Sequence, residues 1–281
     1  MIVCKSPAEL GRMHRACGLV AAVLTRLRRT ARPGVSTAEL DALAEEQIRA
    51  AGATPAFKGY HGYPATVCIS VNDEVIHGIP SRSRLLAEGD IVSMDVGAVL
   101  DGFVGDSAIT VPVGAIESRA EALLRVTREA LYRAITRLEV GARLSDVGHA
   151  VQQHVEKHGF SVVREFVGHG IGTAMHEEPQ VANYGPAGRG PRLAEGMVLA
   201  IEPMVNMGKA QIRVLRDGWT AVAKDGSLSA HFEHTVAVTA AGPLMLTWPG
   251  GARLAGEREE PGEEQAPGKL ESRWRKRTRS R

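Results

Sequence analysis

Apolar and polar positions alternate between two rhythms along the first 250 residues. Ser6-Pro7-Ala8-Glu9 places a capping serine, a proline and a capping-box glutamate at the head of a helical run. The pattern predicts a helix to about Arg29. Ser36-Thr37-Ala38-Glu39 opens a second helix, with Leu40, Leu43, Ala44, Gln47 and Ile48 at helical spacing and Gly52 at its end. Asp101-Gly102 is a hairpin turn between MDVGAVL and FVGDSAITV. Further Asp-Gly turns follow at Asp217-Gly218 and Asp225-Gly226.

The pattern is written twice. LAEGDIVSMD begins at Leu86 and LAEGMVLAIE at Leu193, an offset of 107 residues. The same offset carries Gly34 onto Gly141, Glu39 onto Asp146, Leu40 onto Val147, Ile48 onto Val155 and Gly52 onto Gly159. The preceding helices share Thr-Arg-Leu, at Thr25 to Leu27 and Thr136 to Leu138, with a four-residue slip. Each half reads helix, helix, strands, so the expected class is α+β with internal duplication. The repeat brings Asp95 and Glu202 to equivalent ends of two apolar strands. A site between the halves follows, where ligand clefts are common.

Composition adds limits. A chain of 281 residues with 44% hydrophobic and 23% charged residues can bury a sizeable core. A net charge of +2 singles out no class of partner. No apolar run approaches the ~20 residues of a membrane span. MIVCKSPAEL lacks the basic-then-apolar order of a signal peptide, and Cys4, Cys17 and Cys68 have no CxxC spacing. A reducing cytoplasm and no membrane contact are the expectations. Beyond Trp248-Pro249 the apolar rhythm stops. A folded domain over residues 1–249 and a charged, disordered tail over 250–281 are expected.

Acids gather at strand ends. In a two-residue hairpin Gly97 faces Asp106, and Asp95 lies diagonally from Asp106 at about 7–8 Å between Cα atoms. Val167-Gly168-His169-Gly170-Ile171-Gly172 reads as a glycine-rich turn carrying a histidine, with His176 seven residues on. Glu202 precedes Pro203, which stops ladder pairing. Glu233 sits in an alternating strand, HFEHTVAV. Any one of these residues alone reads as structural. Four acids packed together repel and raise one another's pKa values, and divalent cations remove the conflict. An oxygen-rich set with one imidazole suits manganese, iron, cobalt or zinc alike.

Taken together, VCISVNDEVIHGIP, EGDIVSMDV, DGFVGDSA, VGHGIGTAMHEEPQV, IEPM and DGSLSAHFEHTVAVT make residues 2–247 resemble the type I methionine aminopeptidases. The resemblance implies the pita-bread fold, two pseudo-symmetric halves around a central antiparallel sheet. It implies two divalent ions held by Asp95, Asp106, His169, Glu202 and Glu233, with Asp106 and Glu233 shared between them. It further implies removal of N-terminal methionine before a small second residue by water activated between the ions. His176 would stabilise the oxyanion, His77 would contact the scissile amide, and Glu202 would carry a proton. Phe57, Tyr60, Tyr63, Cys68, Met175 and Trp219 fall at the side-chain pocket. In a chain with only 4% aromatic residues, the gathering of aromatics near the metal motifs favours a pocket over ordinary core. Phe57 stands where bacterial members often have cysteine, and Met175 where phenylalanine is usual, which alters the pocket's shape.

Two other readings stay open. Proline-specific peptidases share the fold and similar ligands but are usually longer. A non-catalytic module holding RNA or the ribosome would normally have lost ligands that are all present here. The expected partner is a peptide or nascent-chain N-terminus, met by a monomer. The basic end, SRWRKRTRSR, is either a solvated tail or a weak contact to the ribosome.

Overall fold

The computed structural model describes residues 1–255; the expected tail from 250 lies outside the described residues except for its first six, where Arg253–Leu254 pairs with Gly242–Met245, so the folded domain runs past 249. Both anticipated helices form. Helix α1 spans Pro7–Thr30 and α2 spans Thr37–Ala50, each opened by a reciprocal capping box, Ser6 with Glu9 and Ser36 with Glu39. Their partners in the second half are α3, Ser118–Ile135, and α4, Ser145–Lys157. The shared Thr-Arg-Leu is not equivalent between halves: Thr136 lies just past the end of α3, whereas Thr25 lies inside α1. No helix among the described residues is long and apolar enough to cross a membrane.

The duplication is visible in the backbone bonds. Gly34 N–H donates to Leu86 O at 2.8 Å, and Gly141 N–H donates to Leu193 O at 2.8 Å. Leu86 N–H returns to Val35 O, and Leu193 N–H to Ala142 O, both at 2.9 Å. The isolated bridges Ser36–Leu85 and Arg143–Arg192 also differ by 107 residues at each end. One loop-to-strand clasp is therefore used twice. This is the pita-bread architecture, an α+β fold whose halves set antiparallel strands beneath paired helices.

In the first half the strand Ile91–Leu100 pairs along its whole length with Phe103–Pro112. The Asp101-Gly102 turn has positive φ at both residues, 51° and 76°, and gives the anticipated register: Leu100 opposite Phe103 and Gly97 opposite Asp106. Val67–Val71 pairs on the other side, setting Cys68 opposite Asp95. In the second half Val198–Ile201 lies between His234–Thr239 and Gly168–Gly170, and Glu177–Val181 closes that edge. Each half keeps its own apolar core. One packs α1 and α2 on the first sheet, around Leu27, Leu40, Ile48 and Met94. The other packs α3 and α4 on the second, around Leu131, Ile135, Val151 and Ile201.

Three expectations are corrected. Asp95 does not end its apolar strand but lies midway along Ile91–Leu100. His169 is not in a turn but on the short buried strand Gly168–Gly170. The flanking glycines exist for close approach. A Cβ at Gly168 would lie 2.3 Å from Ala200 O, and one at Gly170 would lie 2.2 Å from Glu178 O. Glu233 is not inside one continuous strand. It falls in a break between Ser229–His231 and His234–Thr239. Its backbone N–H turns to Ala108 O at 2.8 Å, which joins the second half to the first.

Gly170→Ala should therefore destabilise the metal-free protein by about 1–3 kcal/mol through forced separation of two strands. Chemical denaturation checks this. An unchanged midpoint would show that the strands separate without cost.

Candidate metal centre and substrate pocket

The seam between the halves is made of side chains as well as backbone. Ser107 Oγ donates to Glu233 O at 2.6 Å, and Thr235 Oγ1 donates to Asp106 O at 2.7 Å. Thr110 Oγ1 donates to His231 O at 2.7 Å and accepts from His231 N–H at 2.8 Å. These bonds run between the Phe103–Pro112 strand and the 231–235 segment. They hold Asp106 and Glu233, from opposite halves, at one place.

At that place Asp106, His169 and Glu233 each offer a ligand atom, all within 4.8 Å of one another. His169 Nε2 is 3.4 Å from Glu202 Oε1 and 3.9 Å from Asp106 Oδ2. Asp95 stands in the register that sends its side chain toward Asp106, as the hairpin requires. All five residues are buried, with Glu233 only 2% exposed. Asn183, also buried, donates to Glu202 O at 3.1 Å and steadies its backbone.

The electrostatics of this cluster are those of a site built for cations. Burial raises the Asp95 carboxyl to about 7. Burial, then the neighbouring acids, push Asp106 and Glu233 well above the usual carboxylate range. Burial and the Asp95 charge do the same to Glu202. Burial lowers His169 to about 4, keeping its imidazole neutral and able to donate a lone pair. His169 Nδ1 lies 2.9 Å from Gly170 O; as N–H donor there, it leaves Nε2 facing the acids as the lone-pair atom. Among the described residues no lysine or arginine lines this pocket.

Orphaned atoms test whether a metal fits. Asp95 Oδ1, Asp106 Oδ1 and Glu233 Oε1 are buried without any hydrogen-bond partner. Buried polar atoms are normally satisfied, and a buried carboxylate without compensation costs on the order of several kcal/mol. Three unpartnered acidic oxygens beside one neutral imidazole match hard or borderline divalent cations. The residues fit.

The centre forms the floor of a cavity of about 260 Å³. Its walls include all six anticipated pocket residues, Phe57, Tyr60, Tyr63, Cys68, Met175 and Trp219, together with His77 and His176. Tyr63 and Trp219 meet edge to face at 5.2 Å between ring centroids. Tyr63 Oη is fixed by donation toward Gly78 O at 2.8 Å. Phe57 and Met175 reach the wall only because position 97 is glycine. A Cβ there would lie 2.6 Å from Phe57 Cε1 and 2.9 Å from Met175 Cε. The two departures from the family pattern thus pack over the same bare stretch of strand.

His77 sits at φ 61°, edge-on to Phe166 at 5.3 Å and to Trp219 at 6.1 Å. Burial, then the His176 charge, lower it to about 4. His176 stands at the pocket rim, its ring 4.3 Å from that of His169, with Nδ1 2.8 Å from Tyr60 Oη. Three residues lay outside the anticipated set: Ile76, which lines the pocket, His231 and His61. His231, opposite Met204 and buried, has an unpartnered Nε2 only 3.8 Å from Glu202 Oε2. The signal was its place two residues before Glu233, on the same face of an extended segment. His61 also lines the pocket, from a short turn whose left-handed backbone no periodicity announces.

With this geometry in place, the profile for "Metallopeptidase family M24" matches residues 11–240. The chain is 52% identical over 247 residues to "Methionine aminopeptidase 1" of Bacillus subtilis (strain 168), covering 88% of this chain and 99% of that one. The chain belongs to the methionine aminopeptidases of metallopeptidase family M24. It is a metallopeptidase. The crystal structure of methionine aminopeptidase from Thermotoga maritima superposes with a TM-score of 0.87 at 48% identity, over 88% of this chain and 99% of that one. The prolidase from Pyrococcus horikoshii OT3 has a TM-score of 0.70 at 23% identity, covering 88% of this chain and 64% of that one, which is a likeness of fold.

Manganese or cobalt at about 100 times its Kd should stabilise the metal-free protein by about 2.7 kcal/mol. Asp106→Asn should abolish most of that gain. Thermal shift and metal analysis after dialysis check both. Full metal content in Asp106→Asn would remove this residue from the centre.

Proposed function

We propose that the chain removes N-terminal methionine from peptides and nascent proteins that carry a small second residue, using two divalent ions. One observation carries the reading: five ligand-type side chains share one cavity with a set of aromatic and sulfur-bearing side chains. The identity to the Bacillus subtilis enzyme supports it. By the resemblance, Asp106 and Glu233 would be shared between the ions, Asp95 would help hold one of them, and His169 with Glu202 the other; the grouping of Asp106, His169 and Glu233 supports this. Ions bound there supply Lewis acidity at the scissile carbonyl and lower the pKa of water toward neutrality.

The chain's own residues do the rest. Tyr63, Cys68 and Trp219 receive the methionine side chain, whose sulfur makes favourable contacts with aromatic rings. Phe57 and Met175 narrow the far wall. His176 donates from Nε2 to the oxygen that gains charge. If Tyr60 Oη donates to Nδ1, the ring is left with its proton on Nε2, the tautomer this role needs. His77 is held neutral by burial, so it serves the leaving nitrogen as a neutral hydrogen-bond partner and not as a competing cation. Glu202 carries a proton between water and the leaving amine, with His231 Nε2 at 3.8 Å as its nearest buried neighbour of unmet capacity. The proline-specific reading has no support of its own here, since the likeness to prolidase is one of fold.

Three peptides test the proposal. Met-Ala-Ser should be cleaved far faster than Leu-Ala-Ser, and Met-Lys-Ser hardly at all. Trp219→Ala should reduce the preference for methionine. Equal kcat/KM for Met-Ala-Ser and Leu-Ala-Ser would overturn the pocket assignment.

His176→Ala and His77→Ala should each lower kcat on the order of 10²–10³-fold while metal content stays at the wild-type level. Loss of metal in either variant would contradict the division between ligands and substrate-facing groups.

A further inference from the structure

Lys5 is the one lysine or arginine classed among the buried residues in the described part of the chain. It lies in the extended segment before α1. Its ammonium meets Glu177 in a close ion pair and also donates to Val3 O at 3.2 Å. Its backbone N–H donates to Gly196 O at 2.6 Å, in the turn that leads to the Glu202 strand. Glu177 uses both oxygens. Oε2 takes Lys5, and Oε1 accepts from Thr173 N–H at 2.9 Å and Ala174 N–H at 3.3 Å. Residues 172–176 are therefore wound around one carboxylate, and that carboxylate is tied to the N-terminal segment.

Space has been reserved for this contact. A Cβ at Gly172 would lie 2.4 Å from Lys5 Cε, and one at Gly196 would lie 2.6 Å from Lys5 O. From the other side Val104 N–H donates to Gly172 O at 2.8 Å, from the hairpin that carries Asp106. The turn so gripped presents Met175 to the pocket wall and His176 to its rim.

We propose that Lys5 and Glu177 are a positioning pair: the N-terminal segment acts as a strap that fixes the 172–176 turn and, through it, His176 over the scissile bond. A buried ion pair adds little stability over an apolar replacement, but it defines one arrangement of the groups it joins. Here the group defined is the turn before a residue whose donor must be aimed. The proposal rests on the role given to His176 above.

The test uses full-length, metal-loaded protein carrying Lys5→Met, with Glu177→Gln as a second variant of unchanged volume. Hydrogen exchange is followed at the Thr173 and Ala174 amides. Exchange there should rise about tenfold in either variant without a change in α3 or α4. On Met-Ala-Ser, kcat should fall about tenfold or more with KM little altered. In a His176→Ala background the same Lys5→Met change should lower kcat less than about twofold, because the group it positions is gone. An equal loss in both backgrounds, or unchanged exchange at the two amides, would overturn the proposal. Should wild-type protein fail to cut methionyl peptides, the functional reading falls, while the exchange result still decides whether the strap holds the turn.

Discussion

Four carboxyl groups are buried together here with no lysine or arginine among the described residues lining their pocket, and that constraint orders much of the structure around them. Self-repulsion and desolvation both oppose such a cluster. The fold tolerates it because the opposing cost is met on both sides of the seam. Thr235, Ser107, Thr110 and the Glu233 amide make specific bonds between the halves. Each half adds its own apolar core beneath. What these bonds do not satisfy are Asp95 Oδ1, Asp106 Oδ1 and Glu233 Oε1, which stay buried and unpartnered. A cluster expensive as bare protein becomes favourable once cations enter it, so metal affinity and the strain of the empty centre are one quantity seen from two sides.

The duplication explains how such a centre is positioned with little freedom. The same backbone clasp, from a loop glycine to a leucine just before the strand that carries or leads to an acid, is used at Gly34–Leu86 and Gly141–Leu193. It sets Asp95 and Glu202 at corresponding heights. The halves then differ where chemistry requires. The first supplies the Asp101-Gly102 hairpin and with it Asp106. The second supplies His169 on a strand so closely packed that both flanking positions must be glycine. Pocket and centre thus share one wall, the strand Ile91–Leu100. Its Asp95 faces the metal ligands, and its Gly97 makes room for Phe57 and Met175.

Much of this was legible in the chain. The capping boxes at Ser6 and Ser36, the Asp101-Gly102 register and the pairing of Asp95 with Asp106 follow from local rules that tertiary context did not override. All thirteen candidate site residues line one cavity, since the repeat and the family motifs placed them on corresponding elements. The failures have a common cause. His169 was assigned to a turn because Gly-His-Gly-Ile-Gly looks like loop chemistry. Only close approach of neighbouring strands, invisible in one sequence, makes those glycines strand residues. The break at Glu233 was hidden for a similar reason, since its amide pairs with a strand 125 positions earlier at Ala108. The Lys5–Glu177 pair depends on a contact between distant segments that no spacing encodes.

The most direct test of the central claim is a proton count. Calorimetric titration of manganese into the metal-free protein near pH 7, repeated in buffers of different ionisation enthalpy, gives the protons released per ion bound. Burial raises the Asp95 carboxyl to about 7, and burial with the neighbouring acids raises Asp106, Glu202 and Glu233 well above their usual range. Cation binding displaces protons held by such raised carboxyls, so proton release is expected near pH 7, diminishing as the pH is raised. Binding with no proton release at pH 7 would mean that the acids are already ionised in the empty centre, and the account of a charge-strained seam relieved by cations would be wrong.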